Sequence, residues 1–178
     1  MNVKSTQRAR NAAESRSVSD RKVVFDCNVF AQALLNPDGP SGVCLQAMID
    51  IPKRLLVSEW VIQEITELPD KGPLRGLGVS EKRVAGLVAT LGDIAARIDD
   101  PPAVFEHPID EDDSAYINLA IAGAADLIVS RDKHLLNLTN PAKPWSAEFR
   151  ARFPQIRVIS PEALLQELRA ELGEQRDV

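Results

Sequence analysis

Two carboxylates, Asp26 and Asp132, stand directly after apolar runs of the chain. The residues before Asp26 are apolar without polar alternation, which predicts a short buried strand over residues 23–27. Ser130 and Asp132 follow a second predicted strand that contains Leu127–Val129. The carboxyl ends of parallel strands share one edge of an open α/β sheet, where ligands bind. A carboxylate buried at that edge is costly unless it is paired, hydrogen-bonded or bound to a metal.

Two further acids are predicted on the inward faces of helices. Glu64 lies one turn from Trp60, inside the apolar stripe of a helix predicted over residues 59–68. Asp113 is in line with the apolar residues of a helix that begins with the acidic run Asp110–Asp113. Both acids should therefore point towards the core rather than to solvent.

Each of these acids also has a simpler structural explanation. Asp26 could cap a helix predicted over residues 28–35, and Glu64 could extend to solvent beside the core. The other acids of the run, residues 110–112, are explained by the favourable interaction of carboxylates with a helix N-terminus. The occurrence of four such acids in one chain is what favours a functional site.

We expect no Lys or Arg among these four acids, so at one place they would repel one another and favour protonation. A hard divalent cation, Mg²⁺ or Mn²⁺, would resolve this conflict because both ions accept oxygen ligands. No His/Cys cluster favours Zn²⁺, and His107 and His134 are isolated, so we interpret both as incidental. A Mg²⁺ site of this kind binds phosphate oxygens and activates water.

Length, composition and charge limit the function further. The chain has 178 residues, of which 44% are hydrophobic and 26% charged, as in an ordinary globular domain. The polar N-terminus and the lack of a long apolar run predict a cytoplasmic protein with no membrane partner. The net charge of −5 argues against a broad, sequence-independent grip on nucleic acid. It does not exclude an anionic substrate, because bound cations can supply positive charge.

The order of predicted elements indicates an α/β fold, a three-layer α/β/α domain with a central parallel sheet. Residues 1–20 are polar and are predicted to be a flexible extension, followed by a single domain over residues 21–178. The remaining predicted elements are helix 42–50 capped by Ser41, strand 54–57, a loop over Pro69–Gly78, helix 81–97, a short strand over 103–106, an irregular segment over 141–154, strand 155–159 and a helix from Pro161 to about Leu172.

The segments that carry the four acids resemble the motifs of PIN-domain ribonucleases. Val-Val-Phe-Asp-Cys-Asn-Val-Phe, from residue 23, resembles their opening strand, and Ser-Glu-Trp-Val-Ile-Gln-Glu-Ile, from residue 58, resembles their second motif. The segments Asp-Asp-Ser-Ala-Tyr-Ile-Asn-Leu-Ala, from residue 112, and Gly-Ala-Ala-Asp-Leu-Ile-Val-Ser-Arg-Asp, from residue 123, resemble the third and fourth. The resemblance covers residues 22–172. Cys27 and Ser130 stand where the family more often has Thr, and the 20-residue N-terminal extension is unusual for the family.

This resemblance implies a site and an activity. Asp26, Glu64, Asp113 and Asp132 would bind the metal, with Asn28 and Ser130 supporting them. The implied activity is Mg²⁺- or Mn²⁺-dependent endoribonuclease cleavage of RNA that leaves a 5′-phosphate and a 3′-hydroxyl. The most similar subgroup contains toxins of bacterial toxin–antitoxin pairs, which implies an antitoxin partner and a homodimer.

Two basic residues beside Asp132 and three other function classes remain open. Arg131 and Lys133 could hold flanking phosphates, or they could be a solvated pair. A phosphoacceptor signalling domain would need an acceptor Asp on a middle strand and a Lys after a later strand, and we find no such pair. An aspartyl phosphatase would need an acid at position 28, where Asn28 stands. A PIN-like binding module with weak or no activity is the third alternative.

Overall fold

Five short parallel strands form the central sheet in a computed structural model that describes residue 17, residues 20–71 and residues 79–174. The order of the strands across the sheet is β3-β2-β1-β4-β5. The strands are β1 (Val23–Phe25), β2 (Leu55–Val57), β3 (Ala96–Arg97), β4 (Leu127–Val129) and β5 (Arg157–Ile159).

Helices cover the sheet, because β1, β2 and β4 are fully apolar and every residue in them is buried. This arrangement confirms the predicted three-layer α/β/α fold with a parallel sheet. The helices are α1 (Cys27–Leu35), α2 (Pro40–Ile49), α3 (Glu59–Thr66), α4 (Glu81–Ile94), α5 (Ser114–Ala122), α6 (Lys133–Asn137), α7 (Ala147–Arg152) and α8 (Pro161–Glu174), with 3₁₀ turns at Leu68–Asp70 and Pro144–Ser146.

The predicted strand over residues 103–106 is wrong. The backbone N–H groups of Val104 and Phe105 both donate to Oδ1 of Asn118, at 2.9 Å, and Nδ2 of Asn118 donates to the carbonyl of Phe105. A single buried amide therefore satisfies the backbone groups that a strand would have paired. The edge strand is instead β3, because α4 ends at Ile94 and the predicted helix 81–97 is too long.

Other element boundaries differ from the predictions at their caps. Gly39 rather than Ser41 precedes α2, with Pro40 in its first turn. The acidic run 110–113 precedes α5 instead of forming its first turn, and Asp113 is the N-cap. The segment predicted as irregular contains α7. Most of the predicted extension and residues 72–78 of the predicted loop lie outside the described residues. Among the described residues, no helix is long and apolar enough to cross a membrane.

Pairing between β1 and β4 places the two acid-bearing strand ends side by side. Phe25 is opposite Val129 in the parallel register. The ladder continues one step further, since the N–H of Asp26 donates to the carbonyl of Val129 at 3.0 Å. The residues that follow each strand, Asp26 and Ser130, are therefore neighbours at the carboxyl edge of the sheet.

Candidate functional site

Asp26 is held at the centre of the carboxyl edge by two side chains. Its Oδ2 accepts hydrogen bonds from the hydroxyl of Ser130 and from Nδ2 of Asn28. Its Oδ1 accepts from the backbone N–H of Asn28 at 3.3 Å, so Asp26 also caps α1. Burial raises the pKa of Asp26, although the bonds from Ser130 and Asn28 oppose the shift. The carboxylate is therefore oriented but costly to ionise.

Ser130 and Asn28 also fix the position of the next acid along the edge. The Ser130 hydroxyl accepts from the N–H of Asp132 at 2.8 Å, and Oδ1 of Asn28 accepts from the N–H of Arg131 at 3.2 Å. Ser130 is completely buried. The small polar network therefore connects the ends of β1 and β4, which is a supporting arrangement for the two acids.

Glu64 and Asp113 line the same cavity as Asp26. This cavity has a volume of about 380 Å³, and Tyr116 contributes to its wall. The hydroxyl of Tyr116 accepts from the N–H of Cys27 at 3.1 Å, next to Asp26. Neither helix acid therefore faces the opposite end of the sheet. The structure brings three of the four predicted acids to one cavity.

Asp113 is the least satisfied acid of the site. It is 8% exposed, and its Oδ2 has no hydrogen-bond partner among the described residues. Burial and the repulsion from Asp132, Asp110 and Asp26, in that order, raise the pKa of Asp113 to about 7. Asp132, half-buried at the N-cap of α6, is therefore close enough to act electrostatically on the cavity. A positive charge near Asp113 would remove this conflict.

Sequence reasoning missed a lysine in the cavity. The ammonium group of Lys71 forms an ion pair with Oε2 of Glu64, and both side chains are partly buried. Burial is the largest influence on the pKa of Lys71 and acts to lower it, but the hydrogen bond to Glu64 and the negative groups around it together outweigh burial, so the pKa is raised. The expectation that no Lys lies among the acids is therefore wrong. Lys71 lies seven residues after Glu64, beyond the end of α3, where no helical periodicity relates the two side chains.

Sequence reasoning also did not predict that His134 lies close to the acids. Ligand atoms of Asp110, Asp113 and His134 lie within 4.8 Å of one another. Nδ1 of His134 is 3.6 Å from Oδ2 of Asp110 and 3.8 Å from Oδ1 of Asp132. His134 therefore lies beside the predicted site acids rather than apart from them, and Asp110 lies beside His134. The signal in the sequence was the spacing: Asp110 and His134 each stand three residues or fewer from a predicted site acid.

The two predicted phosphate-binding residues are both exposed. The guanidinium of Arg131 forms an ion pair with Glu162 at the start of α8, and Lys133 is the first residue of α6. Arg131 would have to leave Glu162 to reach a substrate. A substrate-binding role for these two residues stays a prediction.

A family model described as PIN domain matches residues 22–134, which include all four predicted site acids. The chain belongs to the PIN-domain family. This PIN domain is also similar to an uncharacterized protein of Methanocaldococcus jannaschii, with 31% identity over 122 residues, which is 68% of this chain and 77% of that protein. Members of the family are generally nucleases and typically use a divalent metal.

The donor set of this PIN domain suits such a metal. The cavity offers carboxylate oxygens, which hard divalent cations prefer, and Oδ2 of Asp113 is buried without a hydrogen-bond partner in the part of the chain that the structure describes. By the resemblance stated above, Asp26, Glu64, Asp113 and Asp132 would hold the ion, and this ligand set stays a prediction. At Glu64 the ion would compete with the ammonium group of Lys71, which already contacts one of the two carboxylate oxygens.

We expect Asp113 to make the stability of the metal-free protein fall as pH rises. Its pKa is about 7 in the folded state against an ordinary value of 3.8, so the folded state keeps its proton over a pH range where the unfolded state has lost it. The free energy of unfolding should therefore decrease between about pH 4 and pH 7, by at most about 1.4 kcal/mol per pH unit from this group. Urea denaturation in chelator across this range would measure the slope.

Asp113→Asn should flatten this pH profile, and the exposed neighbour Glu111 provides the control Glu111→Gln. If the profiles of the wild type and Asp113→Asn ran parallel, the assigned protonation of Asp113 would be wrong.

Lys71→Met tests whether the ion pair between Lys71 and Glu64 competes with cation binding. The variant leaves Glu64 without its counter-ion, so we expect the metal-free protein to lose up to about 1 kcal/mol of stability. Its affinity for Mg²⁺ should rise roughly threefold to tenfold, because the ammonium group no longer competes. Thermal denaturation and calorimetric titration with Mg²⁺ measure the two effects. Lys82→Met, which removes an exposed lysine of α4, is the matched control, and equal Mg²⁺ affinities in both variants would contradict the competition.

Proposed function

We propose that this PIN domain is a metal-dependent endoribonuclease that hydrolyses phosphodiester bonds of RNA. The observation that carries the proposal is the convergence of Asp26, Glu64 and Asp113 on one cavity, together with a buried oxygen of Asp113 that has no hydrogen-bond partner among residues 20–71 and 79–174. Asp132 completes the proposed set from the end of β4. The metal is Mg²⁺ or Mn²⁺, in keeping with a site built from carboxylates.

The side chains of the chain position and charge the site. Ser130 and Asn28 hold Asp26 through its Oδ2, so its carboxylate keeps one orientation while substrate binds. When bound, the cation activates water and stabilises the charge that develops on the phosphate oxygens. The acids also repel RNA in the metal-free protein, so substrate binding and metal loading are coupled in this proposal.

A protein general base is absent from the proposed mechanism. Nδ1 of His107 accepts the backbone N–H groups of Ile109 and Asp110 at 3.2 and 3.0 Å, and the ring is buried. Burial lowers the pKa of His107, but its acceptor nitrogen is already used. His134 faces the acids, so the variant His134→Ala measures its contribution to cleavage. The alternatives, an inactive binding module and a phosphoacceptor domain, predict no RNA hydrolysis.

RNA cleavage by purified protein tests the proposal. We expect cleavage with Mg²⁺ or Mn²⁺, none with excess chelator, and a rate reduced on the order of 100-fold or more in Asp26→Asn, because the variant removes a charge that the site needs. Asp38→Asn, an exposed acid remote from the cavity, is the control. His107→Ala and His134→Ala should keep most of the Mg²⁺-supported activity. Undiminished cleavage in chelator would refute the mechanism and indicate a metal-independent nuclease or a contaminant.

We further propose that the protein is the toxin of a toxin–antitoxin pair and self-associates as a homodimer. An acidic cavity in which an ammonium group already contacts Glu64 suits an inhibitor that inserts a basic side chain. The antitoxin would then compete for the acids that bind the metal.

Expression of this chain alone should slow bacterial growth, and Asp26→Asn should abolish the effect at equal soluble expression. Asp38→Asn should remain as toxic as the wild type. Normal growth with confirmed soluble wild-type protein would contradict the toxin role without contradicting ribonuclease activity.

A further inference from the structure

His134 lies among three carboxylates without a hydrogen bond from its ring to any of them. The 3.6 Å and 3.8 Å separations of its Nδ1 from oxygens of Asp110 and Asp132 are longer than an N–H···O hydrogen bond. The ring of His134 is about half exposed, with 47% of its side chain accessible, and Asp110 is similar at 42%. The cluster is therefore open to solvent on one side and closed on the other by Asp113.

The distances between Nδ1 of His134 and the carboxylate oxygens fit coordination of one shared cation better than direct hydrogen bonds. Two ligand atoms that are each about 2.1 Å from one cation lie about 3.0–3.5 Å apart when they are adjacent in its coordination sphere. Asp110 and His134 are within a few tenths of an ångström of that spacing. The full cluster lies within 4.8 Å, so small rotations of the two exposed side chains would close it around an ion.

Asp113 supplies an independent indication of a ligand. It is more than nine-tenths buried, and its Oδ2 has no hydrogen-bond partner among the described residues. A buried carboxylate oxygen normally has a partner, because leaving it bare costs free energy. A cation shared with Asp110 and His134 would satisfy this oxygen.

The backbone around the cluster is fixed by its own hydrogen bonds. His107 Nδ1 accepts the N–H of Asp110 at 3.0 Å, and the N–H of His107 donates to Ser114 Oγ at 2.9 Å. Oδ1 of Asp110 accepts the N–H of Asp112, so this oxygen is occupied while Oδ2 faces His134. On the other side, the N–H of His134 donates to Oδ1 of Asp132 at 2.6 Å. The backbone that carries Asp110 and His134 is therefore held before any ion binds, and only their side chains need to rotate.

We propose that Asp110, Asp113 and His134 form a second cation site, which shares Asp113 with the acidic cavity and selects a divalent transition ion over Mg²⁺. The selectivity follows from the imidazole, which suits transition ions, whereas Mg²⁺ prefers oxygen ligands throughout. The site is a binding site of the folded chain, so the proposal stands or falls independently of ribonuclease activity. The simpler alternative is that His134 only lies beside the acids and binds no ion.

Mn²⁺ is the probe for this site. Pulsed electron paramagnetic resonance of the full-length protein with bound Mn²⁺ should show coupling to an imidazole nitrogen, and the signal should survive a large excess of Mg²⁺. His134→Gln should abolish the nitrogen coupling and weaken Mn²⁺ binding on the order of tenfold or more, while Mg²⁺ binding stays unchanged. Glu111→Gln, an exposed acid of the same run, should change neither.

Two further variants keep the test decisive. Asp110→Asn should weaken Mn²⁺ binding as His134→Gln does, and it replaces that variant if His134→Gln does not fold by circular dichroism. Asp26→Asn should keep the nitrogen coupling even though it removes an acid of the cavity. Mn²⁺ bound without nitrogen coupling, or with the same affinity in wild type and His134→Gln, would overturn the proposal. A protein that shows the coupling but does not cleave RNA would support this site and contradict the proposed function.

Discussion

The electrostatic cost of gathering carboxylates at the carboxyl edge of a parallel sheet governs this structure. Each acid there is compensated differently. Asp26 receives hydrogen bonds from Ser130 and Asn28, and Glu64 is paired with Lys71. Asp113 has a raised pKa and a buried oxygen for which the described part of the chain provides no hydrogen-bond partner. The chain alone therefore stabilises the acids of the strand edge and leaves one conflict that a cation would resolve.

The fold creates this conflict through two rigid arrangements. Parallel pairing of β1 with β4 places Asp26 and Ser130 side by side, so the acid and its hydroxyl partner arrive together. The buried side-chain amide of Asn118 forms hydrogen bonds with the backbone of Val104 and Phe105, which precede the acidic run. Since both arrangements are buried, the positions of the acids depend on the core rather than on loops. Such rigidity favours a site whose ligands are placed before the ligand binds.

Two basic side chains of the described residues lie beside the acids and bear on how a cation would bind. The ammonium group of Lys71 contacts Oε2 of Glu64, and the ring of His134 lies beside Asp110 and Asp132. A divalent ion bound at Glu64 would compete with the ammonium group of Lys71 for the same carboxylate. Its affinity would therefore depend on how readily Lys71 moves away from Glu64.

The amino-acid sequence by itself determined the fold class and the acids that face inward. Uniformly apolar strands must be covered by helices on both faces of the sheet, and helical periodicity predicted that Glu64 and Asp113 face inward. Both signals can be read from the sequence because each depends on a few neighbouring residues. The tertiary structure decided which groups pair with those acids or lie beside them. Lys71, Asp110 and His134 reach the acids through turns and caps, and the Asn118 amide replaced a predicted strand with a loop. Those contacts depend on where separate elements end and pack, and no local period of the sequence encodes that.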